Sequence, residues 1–329
     1  MSAISLPKLP AIASSAIAME VFSGLTERPK TLSPWLFYDE AGSRLFEAIT
    51  ELPEYYVTRT ERHILATHAA EIVASAAGGR DLSIIELGAG TATKTGLLLD
   101  AAVAQQGHVT YSPIDVSETA LEEARTRLEL EMPEVTVEPI VADYTEGMRQ
   151  NNASGAADAG RRLVLYIGSS IGNFSPADAV DVLRGVRAQL SPGDSLLLGT
   201  DMVKDTGMLL AAYDDAAGVT AKFNMNVLAR INRELDASFD TKLFRHRARW
   251  NEQHSRIEMH LESLQAQRVV VRALDLEVRF SPGETIHTEN SYKFTDERVV
   301  ALLTRAGFKL RQQWSDGQKW FTVYLAAAN

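Results

Sequence analysis

Three carboxylates stand at or just beyond the ends of three successive apolar runs, and the first is followed at once by two glycines. The segment LSIIELGAGTATKT, residues 82–95, carries Glu86 into a turn containing Gly88 and Gly90. Leu82 to Leu87 reads as a short buried strand. The glycines supply backbone that turns sharply and lies against a ligand with no Cβ in the way. A second acid, Asp115, ends VTYSPID, 25 residues beyond Gly90, close to the roughly 20-residue interval at which nucleotide-binding folds place a ribose-holding carboxylate. A third, Asp143, ends VTVEPIVAD. The residue three after Gly90 is Thr93, so the G-x-G-x-x-G fingerprint of pyrophosphate binders is incomplete. This pattern suits a cofactor with a ribose and an adenine but no pyrophosphate, which points to S-adenosylmethionine.

The elements that must position these residues alternate between strand and helix. After the three strands, NNASGAADAGRR (151–162) reads as a polar loop, RLVLYIGSSIGNF as a fourth strand entering another glycine turn, and the stretch to LLLGTD as a helix, a Pro-Gly turn and a fifth strand. DERVVALLTRAGFKL predicts a helix stopped by Gly307, and the residues after it predict two strands joined at Asp316-Gly317. An antiparallel hairpin closing a parallel sheet predicts an α/β fold of the Rossmann-like class I methyltransferase type. Residues 1–62 and 202–287 fall outside the alternation and predict a second, α+β substrate-binding domain. The methyltransferase part is expected at 63–201 and 288–329. Within the insert, TGMLLAAYDDAAGVTAKFNMNVLARINREL reads as helical, and RIEMHLESL and RVVVRAL as antiparallel strands.

Composition narrows the function classes. The 329 residues, 45% hydrophobic and 23% charged, are those of a globular chain. A net charge of −10 argues against a general nucleic-acid binder. No cysteine is present, which excludes thiolate catalysis, disulfides and cysteine-ligated metals and is compatible with a reducing cytoplasm. No window offers the roughly 18 apolar residues of a membrane span. MSAISLPKLPAIASSAIAMEVFSG lacks a basic region ahead of a continuous apolar block and reads as a helical start to the mature protein.

The blocks LSPWLFYDEAGSRLFEAITELPEYYVTRTE, ELGAGTATKT, YIGSSIGNF, a Tyr-Asp-Asp after the fifth strand, IEMHL and TENSYKF, spread in order over residues 31–295, resemble the histidine-specific Nα-methyltransferases of ergothioneine biosynthesis. The resemblance implies S-adenosylmethionine-dependent trimethylation of L-histidine to hercynine by a cytoplasmic monomer that needs neither nucleic acid nor membrane. It places the cofactor against Gly88, Lys94, Asp115, Asp143 and Tyr144, with Asp115 on the ribose, Asp143 and Tyr144 at the adenine, and Lys94 on the cofactor's carboxylate. Asn173 and Tyr213 would grip the α-amino and carboxylate groups, and with Tyr38 they would carry the methyl transfer. Tyr55, Glu289 and Ser291 would meet the imidazole, with Met259 shaping the pocket.

The roles are chemically coherent. An amide and a phenol orient a neutral amine, which must keep its lone pair to attack a sulfonium methyl group. In an extended TENSY segment, residues 289 and 291 point to one face, so a carboxylate and a hydroxyl meet a ring with two nitrogens. Each has a bland counterpart: Lys94 solvated in a helix's first turns, Asn173 a helix cap near Ser175, Tyr213 half-buried packing, Glu289 a solvated strand residue. The seven histidines form no H-x-x-x-H or H-E-x-x-H spacing; His246, His254 and His260 read as surface or packing residues, and no metal is expected. The rival functions are methylation of another aromatic amino acid such as tryptophan, against which Glu289 and Ser291 argue, and a nonenzymatic S-adenosylmethionine-binding regulator. An NAD-dependent oxidoreductase is disfavoured by the missing third glycine.

Overall fold

The structure is a computed structural model describing residues 15–90, 92–153 and 160–328. The chain forms two compact units, one of Tyr56–Lys204 with Ser291–Asn329, the other of Met1–Tyr55 with Asp205–Asn290. The first division falls ahead of residue 62 because Tyr56–Ala77 is one continuous helix.

The larger unit is built on a mixed sheet. From one edge its strands run Phe308–Ser315, Phe321–Ala328, Ser195–Asp201, Arg161–Tyr166, Leu82–Leu87, Val109–Asp115 and Val135–Val137, with Ile140–Val141 pairing to Val109–Asp115. The terminal hairpin is antiparallel, its second strand Phe321–Ala328 also runs antiparallel to Ser195–Asp201, and the remaining pairings in the sheet are parallel. The central strands are apolar along their length because both faces are covered; all seven residues of Ser195–Asp201 are buried. The chain starts at Leu82–Leu87, moves outward to one side, then returns to lay Arg161–Tyr166 on the other. That reversal is a topological switch point, and its crevice lies beyond the carboxyl ends of these two strands. The α/β class I methyltransferase arrangement read from the sequence is present.

Several local expectations shift. The helix after the glycine turn begins at Gly96, so Lys94 precedes it. Asn151–Ala153 belong to the helix Tyr144–Ala153 instead of a loop, and residues 154–159 lie outside the described residues. The hairpin turns over Asp316–Trp320, with Asp316 accepting from the N–H groups of Gln318 and Phe321, both at 2.8 Å. Gly307, at φ +87°, follows the helix Asp296–Arg305 as expected.

The second unit carries the helices Ala16–Thr26, Glu40–Thr50, Thr206–Tyr213 and Val219–Leu235. Its four-stranded sheet runs Lys30–Thr31, Thr285–Tyr292, Arg256–Ser263, Phe244–Asn251, and Gln267–Val271 pairs separately with Leu276–Phe280. The insert's helical stretch is broken at Asp214–Gly218, where the Asp215 carboxylate caps the second helix by accepting from Val219 and Thr220. Ser15 caps the first helix, and residues 1–14 of the expected N-terminal helix lie outside the described residues. Among the described residues no helix is long and apolar enough to cross a membrane.

Candidate active site

The larger unit builds a cradle at its switch point. Gly88, at φ +69°, leaves the strand Leu82–Leu87, and a Cβ there would stand 3.2 Å from the Tyr144 hydroxyl. The Gly90 N–H donates to Asp115 Oδ2 at 2.9 Å, and the Ser117 N–H donates to Oδ1 at 2.9 Å. An ionised carboxylate has about four acceptor positions, so Asp115 is fixed in direction and still has acceptor capacity for a pair of ribose hydroxyls. Asp143 is exposed; its Oδ1 caps the helix Tyr144–Ala153 through Thr145 and Glu146. The capping role uses one oxygen and orients the other. Tyr144 packs edge-on against Tyr166 at 5.2 Å, and burial, with the Asp115 charge nearby, pushes its phenol up to about 12.

Glu86 faces inward. It is 3% exposed and accepts from Thr95 Oγ1 at 2.6 Å and from the Tyr111 hydroxyl, both on Oε2. Burial pushes its carboxyl up to about 7 against those hydrogen bonds. Glu86 therefore anchors the glycine turn from behind.

Glu61, which sequence reasoning quoted in PEYYVTRTE without a role, is buried and ion-paired with Lys94, and both its oxygens accept from the Gly168 N–H at 2.8 and 3.0 Å. Lys94 is thus held at the switch point, half-buried and ion-paired, instead of standing free in solvent. Gly168 permits this, since a Cβ there would stand 3.3 Å from the ammonium. Asn173 ends the short turn Ser170–Asn173; the following helix is capped by Ser175, which removes the capping explanation for Asn173. Among the described residues its amide has no hydrogen-bond partner.

A second buried network went unrecognised. Asp201 is fully buried, accepts from the Tyr56 hydroxyl at 2.9 Å on both oxygens, and is ion-paired with Lys204 and, at 2.7 Å, with Lys293. The two lysines outweigh burial and hold its carboxyl below the usual range, while burial brings the Lys204 ammonium down to about 8. Lys293 also donates to Ser291 Oγ at 2.8 Å. An ammonium occupying that lone pair directs the Ser291 O–H elsewhere, as a donor. The signal was available, because Lys293 lies in TENSYKF and Asp201 ends LLLGTD.

The second unit gathers the aromatic residues. Tyr55 and Tyr213 meet edge to face at 6.4 Å, Phe46 lies 6.4 Å from Tyr55, and Tyr38 packs 5.9 Å from both Phe46 and Phe223. Both Tyr55 and Tyr213 are 8% exposed. Tyr38 is positioned by Asp39, whose carboxylate caps the helix Glu40–Thr50 at Gly42 and accepts from Asn226 and Arg233 of the helix Val219–Leu235. The Tyr213 carbonyl accepts from His246 Nε2 at 2.8 Å, so His246 is a half-buried structural donor. Met259 is buried in the strand Arg256–Ser263, and Thr288 Oγ1 donates to its carbonyl and to Asn224 Oδ1. Burial alternates from Thr285 to Thr288 and then breaks: Glu289 and Asn290 are both half-buried, Ser291 and Tyr292 both buried. Strict alternation through TENSY, expected from sequence, is interrupted there.

Three further side chains cluster on this sheet. His260 and His287 stack at 4.7 Å and 20°, and His260 Nε2 lies 3.2 Å from Glu258 Oε2. Burial, then the neighbouring His287, bring His260 down to about 4, and burial lowers His287. Burial alone would raise Glu258, but hydrogen bonds from Asn251, Arg256 and His260 bring it to about 2.

Comparison with known proteins agrees with this architecture. The family model "Histidine-specific methyltransferase, SAM-dependent" matches residues 17–328. The chain is 48% identical over 314 residues to the Histidine N-alpha-methyltransferase of Mycolicibacterium smegmatis, and 45% identical over 312 residues to that of Mycobacterium tuberculosis; each match covers 95% of both chains. It is 31% identical over 307 residues to N-methyltransferase imqF of Aspergillus flavus, covering 90% of this chain and 81% of that one. The chain belongs to the family of histidine-specific, S-adenosylmethionine-dependent methyltransferases.

Proposed function

We propose that this protein is an L-histidine Nα-methyltransferase that makes hercynine by three successive methyl transfers, the opening step of ergothioneine synthesis. The observation that carries the reading is the match over 95% of the chain to relatives named for histidine N-alpha methylation. The cradle supports the cofactor half: Asp115 is oriented by two backbone donors and keeps acceptor capacity, and Gly88 leaves room beside Tyr144. S-adenosylmethionine supplies a methyl group on a sulfonium, ready for in-line displacement. Asp115 would accept from the ribose hydroxyls, Asp143 and Tyr144 would meet the adenine, and Lys94 would answer the amino-acid end of the cofactor. Asn173, Tyr213 and Tyr38 would hold the substrate's α-amino group as a neutral amine. Glu289 would accept the imidazole N–H, and Ser291, with Lys293 on its lone pair, would donate to the other ring nitrogen; Tyr55 and Met259 would border the ring. A carboxylate that accepts the imidazole N–H favours histidine over a side chain with no donor to offer. The same reading has the enzyme act as a cytoplasmic monomer on free L-histidine.

Mass spectrometry of products formed from S-adenosylmethionine and the twenty amino acids tests this. Trimethylated histidine as the major product is expected. Methylated tryptophan or tyrosine, or cofactor binding without product, would overturn it.

A further inference from the structure

We propose that Glu258, His260 and His287 form a binding site for a divalent transition-metal ion of the zinc class, carried on the second unit's sheet and separate from the cofactor cradle. The spacing rules applied to the sequence missed it because its ligands come from two strands, Arg256–Ser263 and Thr285–Tyr292, that are far apart in the chain and neighbours in the sheet. Glu258 and His260 are two residues apart on one strand and so share a face. One donor atom from each of the three residues lies within 4.8 Å of the others. A tetrahedral zinc site with Zn–N bonds of 2.0–2.1 Å has ligand–ligand edges of about 3.3 Å. Side-chain rotations closing up to about 1.5 Å would bring this set to that size.

Two observations beyond proximity point to an ion. His260 is 7% exposed, and its buried Nδ1 has no hydrogen-bond partner, an arrangement folded proteins ordinarily avoid. The His287 Nε2 lies 2.9 Å from the Glu289 carbonyl, which can only accept, so Nε2 carries the proton and Nδ1 keeps its lone pair. A ligating imidazole that donates its other N–H to a backbone carbonyl is the usual outer-shell arrangement at metal sites. The carboxylate is prepared in the same way. Glu258 Oε1 accepts from Asn251 Nδ2 at 2.8 Å and from Arg256, leaving Oε2 turned toward His260.

Arg256 sets the strength of the site. Its guanidinium pairs with Glu258 at 2.5 Å, and a positive charge there opposes a second cation. The ion is therefore exchangeable rather than structural. It also has a route to the chemistry, because Met259 lies between two of the ligands in sequence and the Glu289 carbonyl accepts a hydrogen bond from the His287 Nε2–H. Ion binding would weaken histidine recognition; this consequence alone rests on the role proposed above for Glu289.

The test measures binding without turnover. Zinc is titrated into tag-free protein, without histidine, in competition with a chromogenic chelator, and cobalt(II) is added separately to read coordination geometry from its visible spectrum. One zinc per chain is expected, with a tetrahedral cobalt spectrum. Glu258→Gln and His287→Asn should each weaken zinc binding about tenfold or more while leaving the circular dichroism spectrum unchanged. Arg256→Gln should tighten it, an outcome that damage to the fold would not produce. No stoichiometric zinc, or zinc bound equally well by Glu258→Gln and His287→Asn, would overturn the proposal. Failure of the histidine assay alone would not, because binding is read independently.

Discussion

Glu86→Gln should change the pH dependence of stability by an amount the structure sets. Glu86 is buried behind the glycine turn, and burial raises its carboxyl from the ordinary 4.5 to about 7. The folded state therefore favours the protonated acid. That contribution is fully present below pH 4.5 and is lost as pH rises through about 7. A rise of this size corresponds to roughly 3 kcal/mol when complete, and to roughly 2.5 kcal/mol between about pH 5 and about pH 8.5. Glutamine reproduces the protonated acid: its carbonyl can accept from both Thr95 and Tyr111, which converge on a single oxygen of Glu86, and its NH2 stands where the acid proton would be. The variant carries no ionisation penalty at high pH. Urea denaturation of dilute, cofactor-free protein at the two pH values checks this. The stability of Glu86→Gln relative to wild type should improve by about 2–3 kcal/mol on going to the higher pH. An equal difference at both pH values would refute the assignment of Glu86 as the group that titrates, and with it the claim that the turn is anchored by a mostly protonated acid at low pH.

Asp115→Asn sets an NH2 group against either the Gly90 or the Ser117 N–H, so it should weaken S-adenosylhomocysteine binding by about 1.5–3 kcal/mol, read by calorimetry. Asp201→Asn leaves Lys293 and Lys204 in a buried site without their counter-charge, and should cost about 3–5 kcal/mol in urea unfolding. Glu289→Ala should raise the histidine KM, with kcat/KM falling by about 1.5–3 kcal/mol equivalent and the KM for S-adenosylmethionine unchanged. An unchanged histidine KM would remove Glu289 from the imidazole pocket.

What the sequence revealed, and what it concealed, follows from the range of the interactions. Leu82–Leu87, Val109–Asp115 and the terminal hairpin were legible because a buried parallel strand must be apolar throughout and a hairpin must carry turn residues, both local requirements. The acid at Asp115 was legible for the same reason: its partner, Gly90, lies in the preceding strand-to-helix turn. Glu61 and Asp201 were not, since an acid's burial depends on which cations the fold brings to it, and Lys94 and Lys293 come from distant segments. The Glu289–Asn290 interruption was hidden too, because TENSY has the composition of a regular strand and the break is decided by its neighbours. His260 and His287 make the point most sharply. A metal motif read along one segment requires ligands a helical turn or a tight loop apart, whereas these two are joined by strand pairing. A lone histidine in sequence is therefore weak evidence for packing, and only the sheet's register shows whether a second one faces it.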